Sequence, residues 1–281
     1  MVLLLLLDGF GVAPAGEANA IAAAKLPVFS ALTREYPVAV LAADDKSLNA
    51  RYLTLGAGRE IEDDSIKPAA TLSATLAAAG LKQIKISETE RLAALTIFFN
   101  GGAEAKAAGE EWHIISSASG GALAKPSLTL TRTVKEIIRA LEDEAPADLV
   151  VAAVPYLDLI AAGGDFAAVA KAAETLDKNL KTILAAAEAK NAVVIISASH
   201  GNAEHMRDMA ADRPDAGRTG NPLPFLIIGR DFKGKTIGLA DPLNSDLSLL
   251  APAGTLADVA PTILRIMGRE VPPEMTGKSL L

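Results

Sequence analysis

The sequence predicts an α/β protein with a mostly parallel central sheet and helices on both faces of that sheet. Short, almost continuous apolar runs alternate with longer amphipathic stretches, which is typical of strands buried on both faces. Hydrophobic residues make up 50% of the chain but aromatic residues only 4%, so we expect a core of Ala, Leu, Ile and Val. This composition excludes a disordered chain, which lacks the apolar surface needed to offset its loss of conformational entropy.

Apolar runs along the chain are interpreted as strands, and the first is Val2–Leu7. A run of this length cannot cross a bilayer, which needs about 20 residues, and a signal peptide requires a basic segment and a longer apolar stretch. Asp8 and Gly9 close the run as a turn. The other predicted strands are Val38–Ala42, Leu95–Phe99, His113–Ser117, Asp148–Val154, Ala192–Ile196 and Phe225–Ile228.

Helices are predicted where apolar residues recur at three- and four-residue steps. The clearest case is Asp165–Lys190, in which the charged side chains lie on the other faces. Val134–Leu141 and Leu256–Met267 show the same pattern. Because no linker rich in Pro, Gly or Ser divides the chain, we expect residues 1–281 to form a single domain.

The charge balance argues against one class of function, and the missing cysteines exclude several kinds of site. The chain has 27 basic and 34 acidic residues and a net charge of −7, whereas a general nucleic-acid binder has a basic excess. With no cysteine, disulfides, zinc-thiolate sites and thiol nucleophiles are all excluded. We therefore expect no nucleic-acid partner, and because the first apolar run is neither a membrane span nor a signal peptide, we expect a cytoplasmic protein with no membrane partner.

Polar residues follow three predicted strands, at the sheet edge where α/β proteins place their binding sites. Asp8 follows the first strand, Asp158 lies just beyond Asp148–Val154, and His200 follows Ala192–Ile196. One interpretation is that the three converge on a metal or phosphate site. Other interpretations stay open: Asp8 could cap the following turn, Asp158 could be a solvated loop residue, and His200 could be a structural hydrogen-bonding residue.

Several segments form a more specific pattern because they occur together and in order: Leu7–Gly11, Asn19–Ile21, Leu55–Arg59, Glu88–Arg91, Phe98–Gly102, His200–Glu204, Asn221–Phe225, Leu256–Leu264 and Glu274–Leu280. Together they resemble the phosphatase domain of the cofactor-independent phosphoglycerate mutase family, which consists of metalloenzymes of the alkaline phosphatase superfamily. The resemblance extends from about residue 3 to residue 281 and implies an alkaline phosphatase-like fold.

The family that the chain resembles carries a phosphotransferase domain inserted soon after the segment that matches Gly56–Arg59. In this sequence Ile61–Ile66 leads directly to Thr71–Gly80, which matches a helix beyond the insertion point. The insert is therefore expected to be absent near residues 63–70. Since a mutase needs that domain to bind the glycerate and to return the phosphoryl group, mutase activity is not expected.

The resemblance also implies two divalent metal ions, typically manganese, and a serine that receives the phosphoryl group. Asp8, Asp158 and His200 match metal-ligand positions and are the expected metal-site residues. The remaining site positions carry side chains unsuited to these roles, namely Ala162, Ser199 and Arg218 at ligand positions and Leu48 at the nucleophile. Ser47, next to the nucleophile position, could replace it after a local shift.

These losses predict a site with no catalytic residue and no cofactor, because hard divalent cations need several converging oxygen or imidazole ligands. Arg218 would put a fixed positive charge where a metal ion would lie. Arg91 matches a family lysine that contacts phosphate, so Arg91 and Arg218 are the expected anion-binding residues. A surface ion pair of Arg91 with Glu88 or Glu90 is the alternative.

The sequence therefore predicts a degenerate, non-catalytic homologue, a pseudoenzyme that acts as a binding or assembly protein. The alternative is a metal-dependent phosphatase or phosphotransferase with a reduced site, which would use manganese or another divalent metal. A small phosphorylated metabolite or anion, or a protein partner, is the expected class of ligand.

Overall fold

A computed structural model describes residues 1–117, 125–237 and 246–281. Its strands are β1 (Val2–Leu6), β2 (Val38–Ala42), β3 (Gln83–Glu88), β4 (Glu110–Ile115), β5 (Leu149–Ala153), β6 (Val193–Ser197), β7 (Arg207–Asp208), β8 (Arg213–Pro214), β9 (Leu223–Ile228) and β10 (Gly254–Thr255). Its α-helices are α1 (Ala20–Ala23), α2 (Pro27–Glu35), α3 (Leu48–Ala57), α4 (Leu72–Ala78), α5 (Pro126–Glu142), α6 (Tyr156–Ala161), α7 (Phe166–Ala189) and α8 (Val259–Ile266).

An eight-stranded sheet forms the centre of the molecule, in the order β10-β2-β9-β6-β1-β5-β3-β4. β9 runs antiparallel to both β2 and β6, and the other pairs in this sheet are parallel. Leu3–Leu6 of β1 have no exposed surface, so both faces of the central strand are covered. The mostly parallel, helix-covered α/β architecture that the sequence predicts is confirmed.

The strand register brings the ends of three central strands together. Leu6 lies opposite Ala153 of β5 on one side and opposite Ser197 of β6 on the other. Because these strands are parallel, the residues that follow them all emerge at one edge of the sheet. Asp8, α6 and the loop after β6 are therefore neighbours.

One predicted strand is wrong. Leu95–Phe99 is not extended but lies in a π-helical segment, Ala94–Phe98, that packs against α3. A short apolar run does not distinguish a strand from a buried helical turn, since both bury every side chain. Gly56 of α3 permits this packing, because a Cβ atom there would lie 1.9 Å from the carbonyl oxygen of Phe99.

Other elements differ from the sequence prediction in their bounds. The predicted strand His113–Ser117 is displaced toward the carboxyl side of β4, Glu110–Ile115, and overlaps it only in part. Val134–Leu141 is the second half of α5, and the beginning of Leu256–Met267 is a 3₁₀ turn before α8. Asp165 caps the amino end of α7 by accepting a hydrogen bond from the backbone N–H of Ala168 at 3.0 Å.

The sequence pattern does not predict β3, because its alternation is masked by polar side chains that the structure buries. Lys85 has no exposed surface, and its ammonium group lies 2.9 Å from a carboxylate oxygen of Glu110 on β4. A buried ion pair across two strands thus replaces the apolar contacts on which a hydrophobic pattern depends.

The chain between α3 and α4, residues 58–71, is described throughout and contains no helix or strand. Thr71 caps α4 by accepting a hydrogen bond from the N–H of Ala74 at 3.1 Å, so α4 is slightly shorter than the matched segment Thr71–Gly80. Among the helices that the structure describes, none combines the length and the apolar character needed to cross a bilayer.

Candidate functional site: an arginine between two buried aspartates

Two loops and one helix meet at the carboxyl edge of the sheet. Asp8 follows β1, Asp158 lies in the first turn of α6, and His200 follows β6. Gly9 allows the close approach, since its φ is +91° and a Cβ atom there would lie 2.6 Å from the backbone nitrogen of Asp158. That nitrogen donates a hydrogen bond to the carbonyl oxygen of Asp8 at 3.2 Å. The predicted convergence of these three residues at one edge of the sheet is confirmed.

Arg91 lies between the two carboxylates. It ends the 3₁₀ turn Thr89–Arg91 that follows β3. Its Nε donates to Oδ2 of Asp8 at 2.7 Å, and its Nη2 donates to Oδ2 of Asp158 at 2.5 Å. The side chain is only 4% exposed. One buried guanidinium therefore joins both aspartates.

Additional donors surround each aspartate. Oδ2 of Asp8 also accepts from the Tyr52 hydroxyl at 2.9 Å, and Oδ1 accepts from the Ser199 hydroxyl at 2.7 Å. Oδ1 of Asp158 accepts from the Asn202 amide at 3.2 Å, and Oδ2 accepts from Nη2 of Arg218 at 3.2 Å. Each of these carboxylate oxygens thus accepts at least one hydrogen bond from the protein.

The charges of this site stabilise the ionised form of both aspartates. Burial raises the pKa of Asp8, but the positive charge of Arg91 and the neighbouring His200 outweigh it, so the pKa lies below its usual value. Burial also raises the pKa of Asp158, but His200, Arg91 and Arg218 lower it more, to about 2. Burial lowers the pKa of Arg91. The opposing effect of Asp8, Tyr52 and Asp158 is larger, so the pKa of Arg91 lies above its usual value. Arg91 is therefore a permanent cation.

His200 has no exposed surface, and burial lowers its pKa. Its Nδ1 lies 3.1 Å from the carbonyl oxygen of Gly201, which favours a proton on that nitrogen. Its Nε2 lies 3.8 Å from Oδ2 of Asp158 and has no hydrogen-bond partner among the described residues. An imidazole with one unused nitrogen therefore faces the site.

Two interpretations of the sequence are wrong at this site. Asp158 is not a solvated loop residue, since it is 6% exposed and helical. Arg91 does not form a surface ion pair with Glu88 or Glu90, since it is buried against the two aspartates. The expectation that Arg218 supplies the fixed positive charge of the site is also corrected. The cation between the two carboxylates is Arg91. Arg218 contacts Asp158 from the surface, with its side chain 44% exposed.

The donor set does not fit a divalent metal ion. Such an ion needs several converging oxygen or imidazole ligands at about 2 Å, but Arg91 donates into the space between the two carboxylates. Ala162, one helical turn after Asp158, supplies only a methyl group. Within residues 1–117, 125–237 and 246–281, no group of three or more His, Asp or Glu side chains is placed to hold a metal ion.

Ser47 has a role in helix capping. Its hydroxyl oxygen accepts a hydrogen bond from the N–H of Ala50 at 3.1 Å and begins α3, and the hydroxyl donates to Asp64. Leu48 is the first residue of that helix. These contacts favour capping over a nucleophilic role for Ser47.

The sequence analysis did not assign roles to Arg51, Tyr52 or Glu204. Tyr52 lies one helical turn after Leu48, and that spacing was the available signal that it reaches the site. Arg51 is 3% exposed and donates from Nη2 to the backbone oxygens of Asp44 and Thr219, while its Nε and Nη1 have no partner among the described residues. Burial lowers the pKa of Arg51.

Glu204 holds the loops around the site in place. Its carboxylate accepts from the N–H groups of Gly11 at 3.1 Å and Asn202 at 2.8 Å, and from the Asn221 amide at 3.0 Å. Cβ atoms at Gly11 or Gly201 would lie 2.3 Å or 2.2 Å from the Glu204 side chain. A side chain at either glycine would therefore displace the Glu204 carboxylate from these contacts.

Comparison with known sequences shows the family of the chain. The sequence profile of the Metalloenzyme superfamily matches residues 1–271. The 2,3-bisphosphoglycerate-independent phosphoglycerate mutases of Clostridium perfringens (strain SM101 / Type A) and Desulforudis audaxviator (strain MP104C) are 36% and 37% identical to the chain over 212 residues. These matches cover 75% of the chain but 39% and 38% of the two relatives. The chain thus spans about two fifths of the length of these relatives.

Solved structures show the same fold. A phosphoglycerate mutase of Leishmania mexicana superposes with a TM-score of 0.61 at 26% identity, over 75% of the chain and 39% of that protein. The PH0037 protein of Pyrococcus horikoshii superposes with a TM-score of 0.63 at 14% identity, over 96% of the chain and 97% of that protein. A mutant of TAB5 alkaline phosphatase gives a TM-score of 0.59 at 11% identity, over 96% of the chain and 98% of that protein. The last two show the fold alone.

Proposed function

The chain belongs to the Metalloenzyme superfamily, and we propose that within it this protein is a non-catalytic binding or assembly protein in which arginine has replaced the catalytic metal ions. The observation that carries this proposal is the position of Arg91, whose buried guanidinium donates to Asp8 at 2.7 Å and to Asp158 at 2.5 Å. The proposal agrees with the similarity to the independent phosphoglycerate mutases, which concerns about two fifths of their length.

Electrostatics supports the replacement of the metal ions by arginine. Two carboxylates brought together without a cation repel each other, and this repulsion raises the pKa of at least one of them. Arg91 and Arg218 supply that positive charge from within the chain. A dication entering the site would have to displace a guanidinium that already has two ion pairs, so its net gain in free energy would be small.

The scaffold around the exchanged residues supports a role in binding. Glu204 still connects the loops after β1 and β6, although the catalytic positions near it have changed. Arg218, half-exposed at the surface of the site, is the group through which a small phosphorylated metabolite or another anion would enter. We also propose that the protein has a protein partner and is located in the cytoplasm.

Calorimetric titration with manganese tests the exchange. We expect no micromolar binding by the wild-type protein and no manganese-dependent hydrolysis of p-nitrophenyl phosphate. A variant carrying Ala162→His, Ser199→Asp, Arg218→His and Arg91→Lys should bind manganese, because it regains the ligand types that the family uses and loses the guanidinium between the aspartates.

The matched control carries the same three ligand substitutions and keeps Arg91. If Arg91 excludes the metal, this control should bind manganese at least 10-fold more weakly than the fourfold variant, with unchanged circular dichroism in both. Equal binding by the two variants would show that Arg91 is not the cause. Two-site micromolar binding by the wild-type chain, together with hydrolysis, would overturn the proposal in favour of a phosphatase with a reduced site.

A further inference from the structure

A cavity of about 750 Å³ lies between α2, α7 and the sheet. We call it the α2–α7 groove. Its inner end is formed by Ala192 and Val194 at the start of β6 and by Ile228 and Gly229 at the end of the antiparallel strand β9. These positions lie at the amino edge of the parallel strands, so the groove is at the opposite edge of the sheet from Arg91.

The interior of the groove is apolar. Two adjacent helix faces and the sheet supply aliphatic side chains that remain partly open to solvent or lie just beneath it, namely Val28, Leu32, Leu184, Ala187, Val194 and Ile228. A concave site of this volume with a mostly apolar lining is the usual form of a small-molecule pocket.

The rim of the groove carries an excess of unpaired positive charge. Lys178 and Lys181 of α7 are exposed at the rim, as is Arg230 beyond β9, and none of them forms an ion pair with a residue that the structure describes. Lys233 is paired with Glu35 at 2.9 Å.

Three acidic residues of the lining offset part of this charge, and its four basic residues leave a net excess of one positive charge. Asp177 is buried and accepts hydrogen bonds from the N–H groups of Val28 at 3.1 Å and Phe29 at 2.8 Å, so its carboxylate caps α2. Glu35 is occupied by Lys233. Glu188 alone among the described lining carboxylates lies in neither arrangement. The rim therefore complements an anion.

We propose that the α2–α7 groove binds an anionic amphiphile, with an acyl chain on the aliphatic lining and a carboxylate against Lys178, Lys181 and Arg230. The aliphatic lining explains the need for a hydrocarbon chain, and the unpaired cations explain the need for an anionic head. This site is separate from Arg91 and goes beyond the proposed function.

Calorimetric titration of the full chain with octanoate, decanoate and dodecanoate tests the proposal. Each added methylene that enters the groove should tighten binding by roughly 2- to 4-fold. Decyltrimethylammonium, which has the same chain length as decanoate and the opposite charge, should bind at least 10-fold more weakly than decanoate. Equal affinity for these two ligands, or an affinity that does not change with chain length, would overturn the proposal.

Matched variants locate the ligand. Lys178→Glu with Lys181→Glu should weaken decanoate binding at least 10-fold, whereas Arg132→Glu with Lys135→Glu, the same spacing on the exposed face of α5, should leave it within 2-fold. Ala31→Trp fills the groove and should abolish binding, whereas Ala185→Trp on an exposed face of α7 should not. Unfolding temperatures verify that each variant is folded.

The Arg91→Lys variant separates this proposal from the proposed function. Decanoate binding should be unchanged in that variant, because the groove and Arg91 lie at opposite edges of the sheet. Loss of decanoate binding in Arg91→Lys, with full binding in Ala31→Trp, would place the ligand at the aspartate site and overturn the groove proposal.

Discussion

Two buried ionic clusters involve β3 and the turn that follows it, and they differ in how completely their polar atoms are hydrogen-bonded. Near the middle of the strand, Lys85 pairs with Glu110 of the adjacent strand at 2.9 Å, and both side chains are fully buried. Just beyond the end of the strand, Arg91 pairs with Asp8 and Asp158. Both clusters place charge where a core normally places hydrocarbon.

In the Lys85 cluster the ammonium group and its carboxylate partner are fully hydrogen-bonded, and among the described residues around them only Oε1 of Gln83, whose amide donates to the Ser73 carbonyl oxygen, is buried without a partner. The ammonium group donates to the Ser73 hydroxyl at 3.0 Å, to Asn100, and to the Glu110 carboxylate at 2.9 Å, which uses all the donors of a lysine. Glu110 also accepts from the Trp112 indole at 2.5 Å. Burial lowers the pKa of Lys85 to about 8 against the opposing effect of Glu110.

The Arg91 cluster leaves polar atoms unused. Nε2 of His200, Oδ1 of Asn202, and Nε and Nη1 of Arg51 are buried without a hydrogen-bond partner in the described part of the chain. Buried polar groups are nearly always paired in cores that serve packing alone, and exceptions concentrate at functional sites. The difference supports the proposal that the Arg91 cluster is a converted site, in which arginine has replaced metal ions, whereas the Lys85 cluster is a feature of the core.

The largest expected effect is the loss of Glu110. Glu110→Ala leaves Lys85 buried without a counterion, and breaking a buried pair in this way costs about 3 to 5 kcal/mol of unfolding free energy. Urea unfolding at pH 7 measures this loss, with the exposed neighbour Glu111→Ala as the control. A loss below about 1 kcal/mol would mean that the Lys85 cluster is not a core feature.

A smaller effect is expected for Arg91→Met, because Tyr52, Ser199, Asn202 and Arg218 still donate to the two aspartates. We expect a loss of roughly 2 to 3 kcal/mol at pH 7. The loss should shrink toward pH 4.5, since without the guanidinium the buried carboxylates acquire raised pKa values and bind protons as the pH falls.

In the wild-type protein the stability that the carboxylates contribute changes with pH in the opposite direction, falling as the pH falls. The pKa of Asp158 is lowered to about 2, so its contribution to stability is present above about pH 4 and is lost as the pH falls through 2. Urea unfolding of both proteins between pH 4.5 and 8 compares these slopes, and Arg91→Lys is the charge-conserving control. A loss that stays constant across this range would contradict the role of Arg91 as counterion.

Most of the fold could be predicted from the sequence because the positions of most strands and helices follow from the spacing of apolar residues. The buried strands β1, β2, β5, β6 and β9 are apolar runs, and each overlaps its predicted range. The pattern failed where other forces decide the structure. Charged side chains conceal β3, and tertiary packing against Gly56 makes Leu95–Phe99 helical.

The site could be predicted in part. Strand-end position alone brought Asp8, Asp158 and His200 together, because parallel strands end at one edge. The sequence could not show that Arg91 rather than Arg218 lies between the aspartates. That choice depends on the direction of the turn after β3 and on burial, and neither follows from spacing along the chain.

Glu88 lies between the two clusters and sharpens the comparison. It is the last residue of β3 and is 1% exposed, its Oε1 has no partner among the described residues, and burial raises its pKa to about 7. The folded state therefore binds a proton more tightly than the unfolded state, so stability is full below about pH 4.5 and falls as the pH rises through 7.

Glu88→Gln removes this titration. We expect the variant to match the wild type near pH 4.5 and to exceed it by up to roughly 3 kcal/mol at pH 8, because the amide needs no ionisation. Urea unfolding at both pH values measures the difference. A variant less stable than the wild type at pH 8 would show that the charge of Glu88 serves Arg91 and belongs to the converted site.

The smallest expected effect is that of Arg218→Ala. Its side chain is 44% exposed, and Asp158 keeps its hydrogen bonds from Arg91 at 2.5 Å and Asn202 at 3.2 Å. An ion pair with one solvated partner contributes about 0.2 to 1 kcal/mol and is screened by salt. We therefore expect Arg218→Ala to lower the unfolding free energy by about 0.5 kcal/mol in dilute buffer.

In 1 M NaCl the loss should become too small to measure, while the loss caused by Arg91→Met should persist, because its buried pair is hardly screened. Parallel unfolding of both variants at low and high salt tests this, and a salt-independent loss for Arg218→Ala would place Arg218 inside the cluster beside Arg91.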